Sequence, residues 1–137
     1  MGNNKAKPFV GICATVLSVM LLVGMLTFAG PCAAHEDGTL GSCEWAQRAI
    51  LGVGAVALVL SLVRIFERDE GERRGLSLAI ALLGALTACL PGTLIDLCAD
   101  ETMRCATIMR PFAIAVGITL AALCATDLTL RLRALFK

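Results

Sequence analysis

The chain has 137 residues, 58% of them hydrophobic, with 12 Lys and Arg against 11 Asp and Glu. A soluble domain carries about 45–50% apolar residues, and the excess here lies in blocks almost without charge. A single all-α membrane domain over 1–137 therefore accounts for the length without a separate soluble catalytic domain. A net charge of +1 and 4% aromatic residues supply neither a basic stripe for a phosphate backbone nor a stacking platform for bases.

Lys5 and Lys7 precede Pro8, and an uncharged apolar run follows over about 9–29. Its 21 residues rise about 31 Å as a helix, matching the hydrocarbon core. A cleaved signal peptide is the rival, but its apolar region runs only about 7–15 residues and ends in a small-x-small site. The longer run, and Pro31 directly before Cys32, favour a retained span.

Gly30 and Pro31 end this helix, and 31–45 reads as an outer loop rich in turn formers, holding Cys32, His35 and Cys43. Trp45 follows at the depth where an indole ring sits between headgroups and lipid. A second helix is expected over about 46–66, with Arg48 and Arg64 near its ends, their stems reaching water. The run 67–74 is a charged turn, expected to be solvated, with Asp69–Arg73 and Glu70–Arg74 at ion-pair spacing. A third helix is expected over 75–95, bent or ended at Pro91-Gly92.

A second outer loop, 96–110, carries Cys98, Met103, Arg104, Cys105 and Arg110. Pro111 then opens a fourth helix over about 111–130. Asp127 lies four residues before Arg131, a spacing for a local ion pair near the lipid surface rather than a proton site.

Nine basic residues fall on the side of the termini and the charged turn; Arg48, Arg104 and Arg110 fall on the other. The positive-inside rule then puts both termini in the cytoplasm of a cell with an inner (cytoplasmic) membrane, and both cysteine-bearing loops outside.

The halves read as two versions of one hairpin. Cys43 to Arg48 and Cys105 to Arg110 share a C-x4-R spacing, and the two sets lie 62 residues apart. Repeats with the same in-to-out direction imply a pseudo-axis along the membrane normal. Ser77, Ala81, Ala85 and Cys89 form a small-residue stripe on the third helix, and Ala113, Gly117, Ala121 and Ala125 one on the fourth. Such stripes let backbones approach closely, so helices three and four are expected to pack directly.

Of the seven cysteines, Cys13, Cys89 and Cys124 read as apolar fillers within helices. Cys32, Cys43, Cys98 and Cys105 stand at the outer helix ends and are disulfide candidates in an oxidising compartment. Four cysteines allow three connectivities, and the local one needs the least chain movement.

Two sharper uses compete with a structural staple. The arrangement resembles the four-helix disulfide-forming quinone reductases and vitamin K epoxide reductases in helix number and outer cysteines, but it lacks their C-x-x-C motif. Cys32-x-x-His35, with the other outer cysteines and Met103, has a donor set suited to copper or zinc. No second ligand pair has diagnostic spacing, so no metal or cofactor is assigned. No helix carries a charge at its midpoint, where ion and proton carriers need one.

The order Pro31-Cys32, Cys43 with Trp45, Gly52 and Gly54, charged turn, Cys98, Met103-Arg104-Cys105 and Arg110-Pro111 resembles a bacterial and archaeal family of small four-span proteins. That family is filed as a domain of unknown function, number 4418. Its members often have His after the second cysteine, where this chain has Glu44. The resemblance implies an accessory role, because such proteins are often encoded beside permeases of the macrolide-export or cell-division type of ABC transporter.

The sequence therefore predicts an integral membrane four-helix bundle of two pseudo-repeated hairpins. Its expected role is a non-enzymatic accessory subunit of a larger membrane complex, such as an ABC-type permease, with self-association also open. A membrane thiol–disulfide oxidoreductase and a metal-binding membrane protein are the alternatives. His35, Trp45, Arg48, Met103, Arg104 and Arg110 are the outer-face candidates for recognition.

Overall fold

The computed structural model describes residues 9–30, 41–97 and 104–136. Four helices build it: α1 (Phe9–Leu26), α2 (Ser42–Phe66), α3 (Glu70–Cys89) and α4 (Arg110–Leu135). Together with short helical turns at the ends of α3 and α4, they give four segments long and apolar enough to cross a membrane. Lipid offers no hydrogen bonds, so helices that satisfy their own backbone are the natural solution. The buried hydroxyls follow the same rule. Ser18, Ser61 and Thr87 each donate to the carbonyl four residues back, at 2.9, 2.7 and 2.8 Å.

Helix starts come earlier than the charge pattern alone suggests. Gly41 caps α2 with extended backbone, and Glu44 lies in the first turn, where a carboxylate suits the positive helix end. Asp69 caps α3 by accepting from the Gly71 N–H at 2.9 Å. The α2–α3 connection is thus only 67–69, and Glu70 and Glu72 belong to α3.

Each helix packs against its neighbours in chain order, and α1 closes the ring against α4. The tightest contact is α3 with α4. A Cβ on Gly84 would come within 2.8 Å of the Gly117 carbonyl and the Ala121 nitrogen, and one on Gly117 within 2.7 Å of the Gly84 carbonyl. The expected pairing of three with four is thus made through Gly84. Ala85, one residue on, is exposed. The reason is helical phase: α3 buries Ser77, Ile80, Gly84 and Thr87, a stripe of alternating steps of three and four, whereas the expected stripe advanced by fours and drifted off the face.

Interior positions show the repeat more fully than the cysteines do. Gly11, Ala14, Ser18 and Leu21 of α1 match Ser77, Ile80, Gly84 and Thr87 of α3 at a constant offset of 66. On α2, Ala46, Ile50, Gly54, Ala57, Ser61 and Arg64 match Met109, Ala113, Gly117, Leu120, Cys124 and Asp127 at an offset of 63. Cys43 and Cys105 are only 62 apart. The extra residue is absorbed by a wide π turn, Cys105–Met109, ahead of α4. That turn also lets Pro111, which has no N–H, sit in a continuous helical path.

Beyond α3, Pro91 (φ −80°, ψ 110°) and Gly92 (φ 90°, ψ −4°) have the central dihedrals of a type II turn. Ile95 closes it by donating to the Leu90 carbonyl and accepting from the Gly92 N–H, each at 3.0 Å. At this same end of the bundle Gln47 donates to the Met25 carbonyl at 2.7 Å, and Phe28 meets Phe112 edge to face at 5.0 Å.

Candidate functional site

The most polar part of the interior is at the end that carries the α2–α3 turn. All four helices contribute to one layer there: Gly11, Arg64, Ser77 and Asp127. Arg64, expected to reach water, is instead only 2% exposed. Its phase explains this. Ala57, Ser61 and Arg64 continue the interior face of α2, just as Leu120, Cys124 and Asp127 continue that of α4.

The Arg64 guanidinium is divided among helices. Nε donates to Ser77 Oγ at 2.9 Å, and Nη2 donates to Asp127 Oδ2 at 2.5 Å. Ser77 Oγ lies 2.9 Å from the Arg73 carbonyl and 3.3 Å from Asp127 Oδ2, with one proton to serve both. Arg131 Nε donates to both Asp127 oxygens at 2.9 Å, and its Nη1 pairs with Glu70 Oε2 at 2.6 Å. The Asp127–Arg131 pair expected from spacing is present, but it is one link of a longer chain, Arg64–Asp127–Arg131–Glu70. Side-chain exposure rises along it, from 1% to 10%, 15% and 40%.

Arg64 Nη1 is buried and has no hydrogen-bond partner. It lies 3.4 Å from where a Cβ would stand on Gly11. Ser77, the counterpart of Gly11 in the repeat, supplies a hydroxyl to Nε; glycine supplies none to Nη1. The sequence signal for this layer was present in the stripes ending at Arg64 and Asp127. Treating both residues as ends of spans concealed it.

In the charged turn, Glu67 accepts from the Arg68 and Asp69 N–H groups at 2.8 and 3.1 Å. Those bonds, the Asp69 one first, hold its carboxyl below the ordinary value of 4.5. Arg73 Nε donates to the Glu67 carbonyl at 2.6 Å. The charged run is exposed at Arg68, Asp69 and Glu72, as a solvated turn would be, and these bonds order it into a corner.

At the opposite end Cys43 and Cys105 are buried, 3% and 0% exposed. Cys32, Cys98, His35 and Met103 lie outside the described residues. Trp45 is exposed, with the Arg48 guanidinium 5.8 Å from its ring centroid and bonded to Glu44 at 2.9 Å. Arg104 and Arg110 are exposed. The Arg110 guanidinium covers Gly92, 3.2 Å from where a Cβ would be. Among the described residues no three His, Cys, Asp or Glu come together as a metal site would require.

Of the small-residue positions, Ser77, Ala113 and Gly117 are buried, Ala81 and Ala121 half-buried, Ala85 and Ala125 exposed. The exposed ones line a groove of about 570 Å³ between α3 and α4, together with Ala88, Cys89, Ala121, Ala122, Ile114 and Ile118.

Four apolar helices ringed around a polar layer define a small multi-pass membrane protein in contact with lipid. The family described as domain of unknown function (DUF4418) matches residues 14–130, and the chain belongs to it. No curated protein and no solved structure matches the chain.

Proposed function

We propose that the protein is a non-enzymatic accessory subunit that docks in the bilayer against a larger membrane protein of the ABC-permease type. The cytoplasmic membrane is its setting, with the termini and the α2–α3 turn inside. The observation that carries this reading is the α3–α4 groove. Five alanines line it with Cys89, Ile114 and Ile118; it opens outward and lies beside the close approach of Gly84 and Gly117. Acyl chains fill such a channel loosely, whereas the side chains of a partner helix interlock with it. Burial of Cys43 and Cys105 supports a structural use of the outer cysteines over thiol exchange, which needs an accessible sulfur.

The test is site-specific photocrosslinking from position 122 in native membranes. A stoichiometric adduct with a multi-span permease subunit, lost on Ala125→Trp, is the expected result. Adducts with lipid alone would overturn the reading.

A further inference from the structure

We propose that Arg64 Nη1, where it faces Gly11 between α1 and α2, forms a binding site for a phosphate oxyanion. The fitting source is the headgroup of an anionic phospholipid in the leaflet at the α2–α3 turn end. A guanidinium N–H makes short, charge-assisted hydrogen bonds to phosphate oxygens. Arg64 is the third residue from the end of α2. Its level is therefore about 3 Å from that helix end, near headgroup depth.

The burial of that donor carries the site. Arg64 is 2% exposed, and its one unpartnered nitrogen is directed at Gly11. The other donors of the fork are committed to Ser77 and Asp127. The ionic chain holds two arginines and two carboxylates, with one carboxylate at its open end. Arg64 and Arg131 share the single carboxylate of Asp127, and Glu70, which holds the far side of Arg131, is 40% exposed. A buried guanidinium donor left unmade is costly, so an acceptor from outside the chain is favoured. The pseudo-symmetry defines the missing atom: an oxygen beside Gly11, where Ser77 provides one on the other side. Ile65 covers the position, since its Cγ1 would be 2.8 Å from a Gly11 Cβ, so a headgroup enters between α1 and α2 past this side chain.

Native mass spectrometry of the full chain, exchanged into mixed phosphatidylglycerol and phosphatidylcholine, reads the preference directly. The wild type should retain phosphatidylglycerol about fivefold over phosphatidylcholine, the effect of one arginine facing an anionic headgroup. Arg64→Leu with Asp127→Leu removes one charge of each sign, leaves net charge unchanged, and should abolish the preference. Gly11→Ser with Ile65→Ala, which keeps the ion pair and offers Nη1 a hydroxyl, should weaken it as well. Inorganic phosphate is the second probe. Its competition with the retained lipid would identify the phosphate group alone as the ligand, and failure to compete would assign the site to the lipid. No preference in the wild type, or one undiminished in both double variants, would overturn the proposal.

Discussion

Arg64 and Asp127 occupy equivalent positions in the two hairpins, 63 residues apart, and bond to each other across the diagonal between α2 and α4. The repeat thus carries opposite charges at one level, and the chain closes its own pseudo-axis with an ion pair. A buried pair is a weak source of net stability but a strong source of dependence between its members. Either single change, Arg64→Leu or Asp127→Leu, should cost roughly 3–5 kcal/mol, because each strands a charge in the layer. The double change should return most of that loss, as apolar replacement of a buried pair is often neutral. Thermal unfolding in detergent, arranged as a double-mutant cycle, checks this; additive losses would mean that the two side chains act separately.

The α3–α4 crossing makes a sharper steric demand. Gly84→Ala places its Cβ 2.8 Å from backbone atoms of α4, which cannot swing aside like the tip of a side chain. A loss of about 1–3 kcal/mol is expected, in the range for overpacking. Gly52→Ala is the matched control. Its Cβ would meet nothing within 4 Å, so only helix propensity changes, and that favours alanine by about 1 kcal/mol. Opposite signs for two glycine-to-alanine changes, measured by reversible unfolding in mixed micelles, are the expected outcome.

Acid should loosen the α2–α3 corner before it touches the bundle. The Glu67 carboxyl titrates below 4.5 when folded, held down by the Asp69 and Arg68 N–H bonds. A depressed folded value means that its contribution is fully present above 4.5 and fades as pH falls through that value and below. Amide exchange at Arg68 and Asp69, corrected for the intrinsic pH dependence, should lose protection over that window. Glu67→Gln should show weaker protection at neutral pH and no such transition.

The four spans were legible because composition alone reports which solvent surrounds a helix. The pairing of α3 with α4 was legible too, since Gly117 and Ala121 fall on one stripe. Helix phase was less so. A rule of fours selected Ala85, while the packed face runs through Gly84, and the difference is the fraction of a residue by which a helical turn falls short of four. Arg64 escaped for another reason. A charge two residues from a helix end usually reaches water, and only a partner on a distant helix keeps it inside. That partner, Asp127, is matched to Arg131 by local spacing, which captures one of its two ion pairs.

The orientation proposed here rests on the basic residues and can be tested at two exposed points. Phe136 follows α4 and is 90% exposed; Gly41 precedes α2, and a side chain there meets nothing within 4 Å. The two lie at opposite ends of the bundle, because α2 runs toward the end where Arg64 meets Asp127 and α4 finishes at that same end. With the charged corner inside, Gly41→Cys should react with an impermeant maleimide in intact cells. Phe136→Cys should react only after the membrane is opened, each scored against the unmodified chain. The reverse pattern would place Arg68, Arg73 and Arg74 outside, against the charge bias that sets topology, and would move the proposed phosphate site to the other leaflet.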